Sequence, residues 1–281
     1  MTTELTVIEP LTEQEIGSVQ TDDLHIVEEV LAPSKPVVKY GQIVHEGFRF
    51  GCLGETGSGK TSLERLIVYT AVAKGYSGFA LIHDTKGIFP EFPHSRQVGN
   101  VAEFLKGGGF KPNDLPVVSF RGDPRRDLEV SPEEVASFSL ILAKRGIVKN
   151  GQWTPNPHVT VIEEAAEAST AGRKHLKSPS VLKILEQGRK LGVSLVWTTQ
   201  SPRKVPLDML GQSSSIAFFR LTGADANYLA NVLQLPDDLV STIRGPQSEG
   251  LPNFQFVLYV KGKPWDRQIY TLDKRTVDML E

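Results

Sequence analysis

The chain of 281 residues is 40% apolar and 23% charged, ordinary proportions for a globular protein with a sizeable core. Its single cysteine, Cys52, excludes an internal disulfide framework and a multi-cysteine zinc site, and no apolar run of about eighteen residues offers a membrane-spanning helix. The net charge of −2 conceals an asymmetry: residues 1–36 hold eight acidic side chains and one basic, which leaves 25 acidic and 30 basic residues in 37–281. A mildly basic body permits a nucleic-acid partner without demanding one.

Residues 1–40, with scattered acids and the segment APSKP, read as an acidic flexible leader, and residues 41–281 as a single domain. MTTELTVIEPLTEQE has neither the basic nor the apolar stretch of a secretory signal, so a cytoplasmic setting is expected. Strand-like and helix-like segments then alternate, the sign of a mainly parallel sheet with crossover helices. FRFGCL at 48–53 is the first core strand, and Lys60–Lys74 the helix after it, ended by Gly75. GFALIHD at 78–84 is a second strand. A helix near Asn100–Lys106 stops at three glycines, and LPVVSF at 115–120 follows as a strand. Ser131-Pro132-Glu133-Glu134 opens another helix, with serine as cap, proline at the first helical position and glutamate three after the cap. HVTVIEE at 158–164 is a buried-strand pattern ending in acid, Ser180–Leu191 is helical, and GVSLVWTTQ at 192–200 is the next strand. SIAFFRL at 215–221, two short helices over Ala224–Leu233 and Pro236–Ile243, and a closing hairpin from NFQFVLYV and RQIYTL complete the chain.

Between the first strand and its helix lies GETGSGKT: Gly54, Glu55, Thr56, Gly57, Ser58, Gly59, Lys60 and Thr61, with Ser62 next. The spacing G-x-x-x-x-G-K-[ST] in a strand–loop–helix context is a phosphate-binding loop. Glycines let backbone N–H groups curl around phosphates, and the helix start adds its dipole. Lys60 is expected to reach the β- and γ-phosphates, and Thr61 to offer its hydroxyl to Mg²⁺. Glu163 and Glu164, at the end of the acid-tipped strand, supply the second element: successive side chains of a strand point opposite ways. Glu163 is assigned to the metal side and Glu164 to general base for the attacking water. Gln200, at the tip of GVSLVWTTQ, supplies a neutral amide able to touch both the γ-phosphate and the lytic water. Cys52, beside the loop, reads as a small buried hydrophobe.

Together with their flanks, these elements resemble the FtsK–HerA family of P-loop motor ATPases over roughly residues 45–235. The resemblance rests on GETGSGKT, on ALIHDTKG at 80–87, on VTVIEEAAE at 159–167, on SIAFFRLTGADANYLA at 215–230 and above all on EQGRKLGVSLVWTTQSPRKVP at 186–206. Glu163 stands where that family usually carries Asp, one methylene shorter. What the resemblance implies is a RecA-like α/β P-loop NTPase fold of the ASCE type. It further implies ATP and Mg²⁺ as cofactors, ATP hydrolysed at interfaces of a ring (commonly a hexamer), and double-stranded DNA through the centre. A neighbour's arginine would complete each site; Arg220, Arg189 and Arg203 are the candidates, with Arg220 favoured. Arg173, Lys174 and Lys177 lie where a DNA-facing loop is expected, giving sequence-independent grip on phosphates.

A bare motor core behind an acidic leader looks most like the viral genome-packaging ATPases of the family, which would place the protein in the host cytoplasm or with the virion and give the leader a capsid or portal partner. A cellular or conjugative translocase or helicase of the same family is the alternative. A P-loop kinase or small-molecule NTPase is a competing class that would need an acceptor site and a lid. A nucleotide-gated switch is disfavoured, since an Asn-Lys-x-Asp guanine motif is absent and Glu164 equips the site to hydrolyse.

Overall fold

Core strands that are apolar along their whole length must be covered on both faces, which a parallel sheet flanked by helices achieves. The computed structural model has that architecture and describes residues 47–73, 75–85, 96–107, 117–121, 130–149, 152–168, 176–245, 250–265 and 267–272. The acidic leader lies outside the described residues, as do Arg173 and Lys174. In chain order the elements begin with β1 (Arg49–Leu53), α1 (Lys60–Ala73), β2 (Phe79–His83), β3 (Arg96–Val98), α2 (Val101–Lys106) and β4 (Val117–Phe120). Then come α3 (Pro132–Arg145), β5 (Ile147–Lys149), β6 (Gln152–Thr154), β7 (His158–Ile162), α4 (Pro179–Leu191) and β8 (Val193–Thr199). The remainder is α5 (Leu207–Gln212), β9 (Ser215–Phe218), α6 (Gly223–Leu233), α7 (Asp237–Ile243), β10 (Gln255–Val260) and β11 (Ile269–Thr271).

Nine strands form one sheet in the order β11-β10-β9-β1-β8-β7-β2-β4-β3. The strands from β3 through β9 in that order run parallel, and β10 and β11 add the expected antiparallel edge hairpin. β5 and β6 pair only with each other. The insertion of β8 between β1 and β7 matters most for function: Leu53 pairs with Thr199, and Trp197 with Ile162, so three strand ends meet at one edge.

Two apolar layers sandwich the sheet. On one face Phe50, Cys52, Val161 and Val196 pack against Leu63, Leu66 and Ile67 of α1. On the other, Leu53, Ile162, Leu195 and Trp197 meet Val181, Ile184 and Leu185 of α4, Leu140 of α3 and Leu229 of α6. Each such fully buried aliphatic side chain contributes about 2 kcal/mol. Helix α4 supplies its share because Val181, Ile184, Leu185 and Gly188 recur at helical spacing on one face. Trp197 is fully buried, with Nε1 donating to Ser213 Oγ at 2.9 Å, and it fits only because position 51 is glycine. A Cβ there would stand 2.4 Å from the indole ring. Cys52 is free and buried, and burial, followed by the charge of Glu64, pushes its thiol pKa well up, so it stays an unreactive core atom. The Ser131 cap forms as expected, accepting from the Glu134 amide at 3.2 Å. No helix among the described residues is long and apolar enough to cross a membrane.

Between α3 and β7 lies a buried polar chain. His158 donates from Nδ1 to the Asn156 carbonyl at 2.8 Å, so its Nε2 accepts from the Ser139 hydroxyl at 2.7 Å, and Ser139 in turn accepts from Thr160 at 2.7 Å. Burial, only partly offset by these bonds, lowers the His158 pKa to about 4. Because the unfolded imidazole titrates near 6.5, the unfolded state binds the extra proton first. The stability contribution is therefore complete above pH 6.5 and is lost as pH falls towards 4, a span worth about 3 kcal/mol. Urea unfolding at pH 7 and pH 5 checks this: the wild type should lose stability over that window and His158→Gln should show a flatter profile, whereas parallel profiles would contradict it.

Candidate active site

The phosphate loop hangs from the carboxyl end of β1. Its curl needs left-handed backbone at Gly57 (φ 72°) and Gly59 (φ 107°), conformations that cost little only without a Cβ. The loop is also held from below. The Glu55 amide donates to the Arg220 carbonyl at 3.0 Å, and the Ser58 carbonyl accepts from the Phe254 amide at 2.8 Å. Phe254 itself sits at φ 63°, its Cδ1 2.9 Å from where a Gly59 Cβ would be. Lys60, at the start of α1, turns its Nζ onto the Glu55 carbonyl at 2.6 Å. Thr61 and Ser62 follow in the first helical turn, both partly buried.

Arg220 is 2% exposed and spends its guanidinium within the chain: Nε donates to Glu55 Oε2 at 3.0 Å, Nη1 to the Leu251 carbonyl at 3.1 Å and Nη2 to Asn253 Oδ1 at 3.2 Å. In this structure the Arg220 guanidinium is engaged inside its own chain rather than presented at the surface. A buried guanidinium with each nitrogen engaged braces its own phosphate loop, and reaching another subunit would abandon those bonds. Arg189 is exposed in the last turn of α4, beside Gly47 and β1's first residue, hence at the edge opposite the loop. Helix α4 runs back against the parallel strands, which carries Arg189 to that edge. Arg203 is largely exposed and pairs with Asp225 at 2.8 Å.

The carboxylates arrive differently from expectation. Strand pairing of β7 stops at Ile162, so strand alternation does not set the two side chains. Glu163, 2% exposed, continues the edge by donating its amide to the His83 carbonyl at 3.2 Å. Glu164 then adopts φ 47°, a rare left-handed conformation for a side-chain-bearing residue, and this turns it toward the tip of β8. There its Oε1 accepts from Thr199 Oγ1 at 2.6 Å and its Oε2 from the Gln200 amide at 3.3 Å. Gln200 Oε1 accepts from Thr56 Oγ1 of the phosphate loop at 2.6 Å. A continuous hydrogen-bonded line therefore joins the loop, the glutamine and the second glutamate.

Thr199, Asp84 and Asn253 were not assigned from the sequence. Asp84, buried at the end of β2, accepts from Ser119 Oγ at 2.9 Å and lies next to Glu163 along the edge. The acid-ended strand FALIHD was the available signal for it; nothing local marked Thr199 or Asn253. Lys177, exposed just before the Ser178 cap of α4, is the one expected DNA contact among the described residues. The Thr61 hydroxyl and the Glu163 carboxylate are hard oxygen donors of the kind Mg²⁺ takes alongside phosphate and water, so the residues fit that ion. Among the described residues no cluster of three His, Cys, Asp or Glu side chains offers another metal site.

No protein-family model and no curated protein matches the sequence. Solved structures do. The genome packaging NTPase B204 from Sulfolobus turreted icosahedral virus 2, in complex with AMPPCP, aligns with TM-score 0.56 at 14% identity over 80% of this chain and 96% of its own. VirB4 of Thermoanaerobacter pseudethanolicus gives TM-score 0.55 at 8% identity over 81% and 90%. The plasmid coupling protein TrwB, in complex with the non-hydrolysable GTP analogue GDPNP, gives TM-score 0.56 at 12% identity over 89% and 92%. These neighbours belong to the FtsK–HerA group of P-loop ATPases, and the likeness shows that the chain has the RecA-like P-loop NTPase fold expected from its sequence.

The Arg220 brace is testable without nucleotide. Arg220→Met leaves Glu55 uncompensated and should cost roughly 2–3 kcal/mol in urea unfolding of the nucleotide-free protein, below the fully buried range because Glu55 keeps solvent contact. Unchanged stability would restore Arg220 to the pool of residues free to serve a neighbour.

Proposed function

We propose that this chain is an ATP-hydrolysing motor that moves double-stranded DNA through a homo-oligomeric ring, a hexamer on the family pattern, and packages a viral genome. The supporting observation is the line from Thr56 through Gln200 to Glu164, which ties the phosphate loop to the residue placed to activate water. Lys60, now resting on the Glu55 carbonyl, turns to the β- and γ-phosphates when ATP enters. Thr61 and Glu163 would hold Mg²⁺, which when bound would neutralise phosphate charge. Glu164 takes the proton of the attacking water, and Thr199, by donating to Oε1, keeps that carboxylate aimed. Gln200 exchanges its bond to Thr56 for the γ-phosphate and the lytic water, so the β8 tip registers whether the loop is filled.

With Arg220 committed in cis, Arg189 becomes the arginine that a neighbour would receive, where it stabilises charge on the transferring phosphoryl group. Lys177, with Arg173 and Lys174, contributes to a sequence-independent grip on the duplex. The likeness to the viral genome packaging NTPase supports packaging, and with it we propose a capsid or portal partner for the leader and a cytoplasmic or virion setting; a conjugative translocase is the sister reading drawn from VirB4 and TrwB.

Glu164→Gln keeps size and loses the base. It should bind an ATP analogue with wild-type affinity while hydrolysis falls at least about 100-fold, measured as phosphate release. The wild-type rate should rise when duplex DNA is added at low salt. Hydrolysis by the variant at the wild-type rate would remove Glu164 from its role, and a wild-type rate indifferent to duplex would remove DNA as the partner.

A further inference from the structure

Strand order places a different structure on each side of the phosphate loop. On the β8 side stand Gln200 and Glu164. On the β9 side, where antiparallel β10 begins at the same edge of the sheet, stands the turn Pro252–Gln255, closed by the Gln255 amide on the Pro252 carbonyl at 3.2 Å. Its third residue is Phe254 at φ 63°, a position where such turns use glycine or asparagine and where a larger side chain is strained. Two bonds hold the strained residue in place: its amide donates to the Ser58 carbonyl and its carbonyl accepts from the Leu272 amide, each at 2.8 Å. Glycine would make both bonds without strain, so the backbone alone does not call for phenylalanine here. The ring is half-buried. Its inner side lies against Gly59 and the core beneath α1, and the remainder is open to solvent.

Asn253, one residue earlier, is exposed, and Arg220 fixes which way its amide points: Nη2 donates to Oδ1 at 3.2 Å. A guanidinium only donates, so the atom it holds is the oxygen, and the Nδ2 amino group is left without an acceptor among the described residues. The carbonyls of Leu251, Pro252 and Phe254 already accept from Arg220 Nη1, the Gln255 amide and the Leu272 amide. The turn therefore presents an aromatic surface and a hydrogen-bond donor, with those three carbonyls engaged. A triphosphate whose terminal phosphate lies at Gln200 and Glu164, as in the function proposed above, sends its nucleoside off the loop on the opposite side, over this turn.

Resting on that reading, we propose that Phe254 and Asn253 form the base subsite, and that it takes purines without distinguishing adenine from guanine. The Phe254 ring gives a two-ring base more contact than a one-ring base. The Asn253 donor meets N3 or N7, ring acceptors that adenine and guanine share. The engaged carbonyls do not read the group at C6, an amine in adenine and a carbonyl in guanine.

Calorimetric titration of the full-length protein in Mg²⁺ tests this, using the non-hydrolysable β,γ-methylene analogues of ATP, GTP and CTP, and inorganic tripolyphosphate, which has no base. The wild type should bind the two purine analogues within about threefold of each other and the CTP analogue about tenfold more weakly. Phe254→Leu keeps an apolar side chain against Gly59; it should weaken both purine analogues about tenfold while tripolyphosphate binds as before, and Phe254→Tyr should restore the affinity. Asn253→Ala, at an exposed position as a guard against misfolding, should weaken both purine analogues about fivefold and again spare tripolyphosphate. Parallel loss of tripolyphosphate and analogue would make the turn a support for the loop alone and overturn the subsite, as would unchanged purine affinity. A wider preference of the wild type for one purine would overturn the shared recognition. Wild-type protein that binds no tripolyphosphate would instead fail the phosphate-loop reading and take the subsite with it.

Discussion

A polyanion is captured by a curl of backbone N–H groups only if the curl persists when it is empty, and here a buried arginine holds it. Arg220 reaches Glu55, the second residue of the loop, and ties it to Leu251 and Asn253 of the segment entering β10. A guanidinium in the interior is costly unless each nitrogen has a partner, so the brace has one stable geometry. Phe254 completes it from the same segment, its amide on the Ser58 carbonyl and its ring under Gly59. The edge hairpin, which a sequence reading treats as closing the sheet, thus also supports the loop that binds nucleotide.

The rest of the site follows from strand order. Because β8 lies between β1 and β7, its tip is within hydrogen-bonding reach of the phosphate loop on one side and of Glu164 on the other. Gln200 can therefore exchange partners without movement of the sheet. At the other end of the same strands, Arg49 and Arg189 lie together without a carboxylate among the described residues. One edge of the sheet thus carries the phosphate loop and the opposite edge carries Arg49 and Arg189.

Most of this architecture was legible because it depends on local pattern. Apolar runs marked the core strands to within one to three residues, and the serine–proline–glutamate start of α3 and the glycine spacing of the loop named themselves. Three-residue β3, the β5–β6 pair and short α5 were missed, since so few residues carry no periodicity. Long-range chemistry was the harder loss. Arg220 and Glu55 are 165 residues apart, and nothing local distinguishes a brace from a reaching arginine. The left-handed turn at Glu164 was equally hidden, because glutamate is not a residue that announces positive φ. Its partner Thr199 lies in the Thr-Thr-Gln tip of β8, where the sequence distinguishes only the glutamine amide.

In the proposed function ATP is cleaved where two copies meet, on a loop braced from within its own chain. ATP turnover per subunit, measured across a dilution series of the purified protein with saturating nucleotide, tests it most directly. Turnover per subunit should rise steeply with protein concentration and level off once copies associate. A rate per subunit that stays constant down to the most dilute sample would contradict it, because a single copy would then carry the complete site.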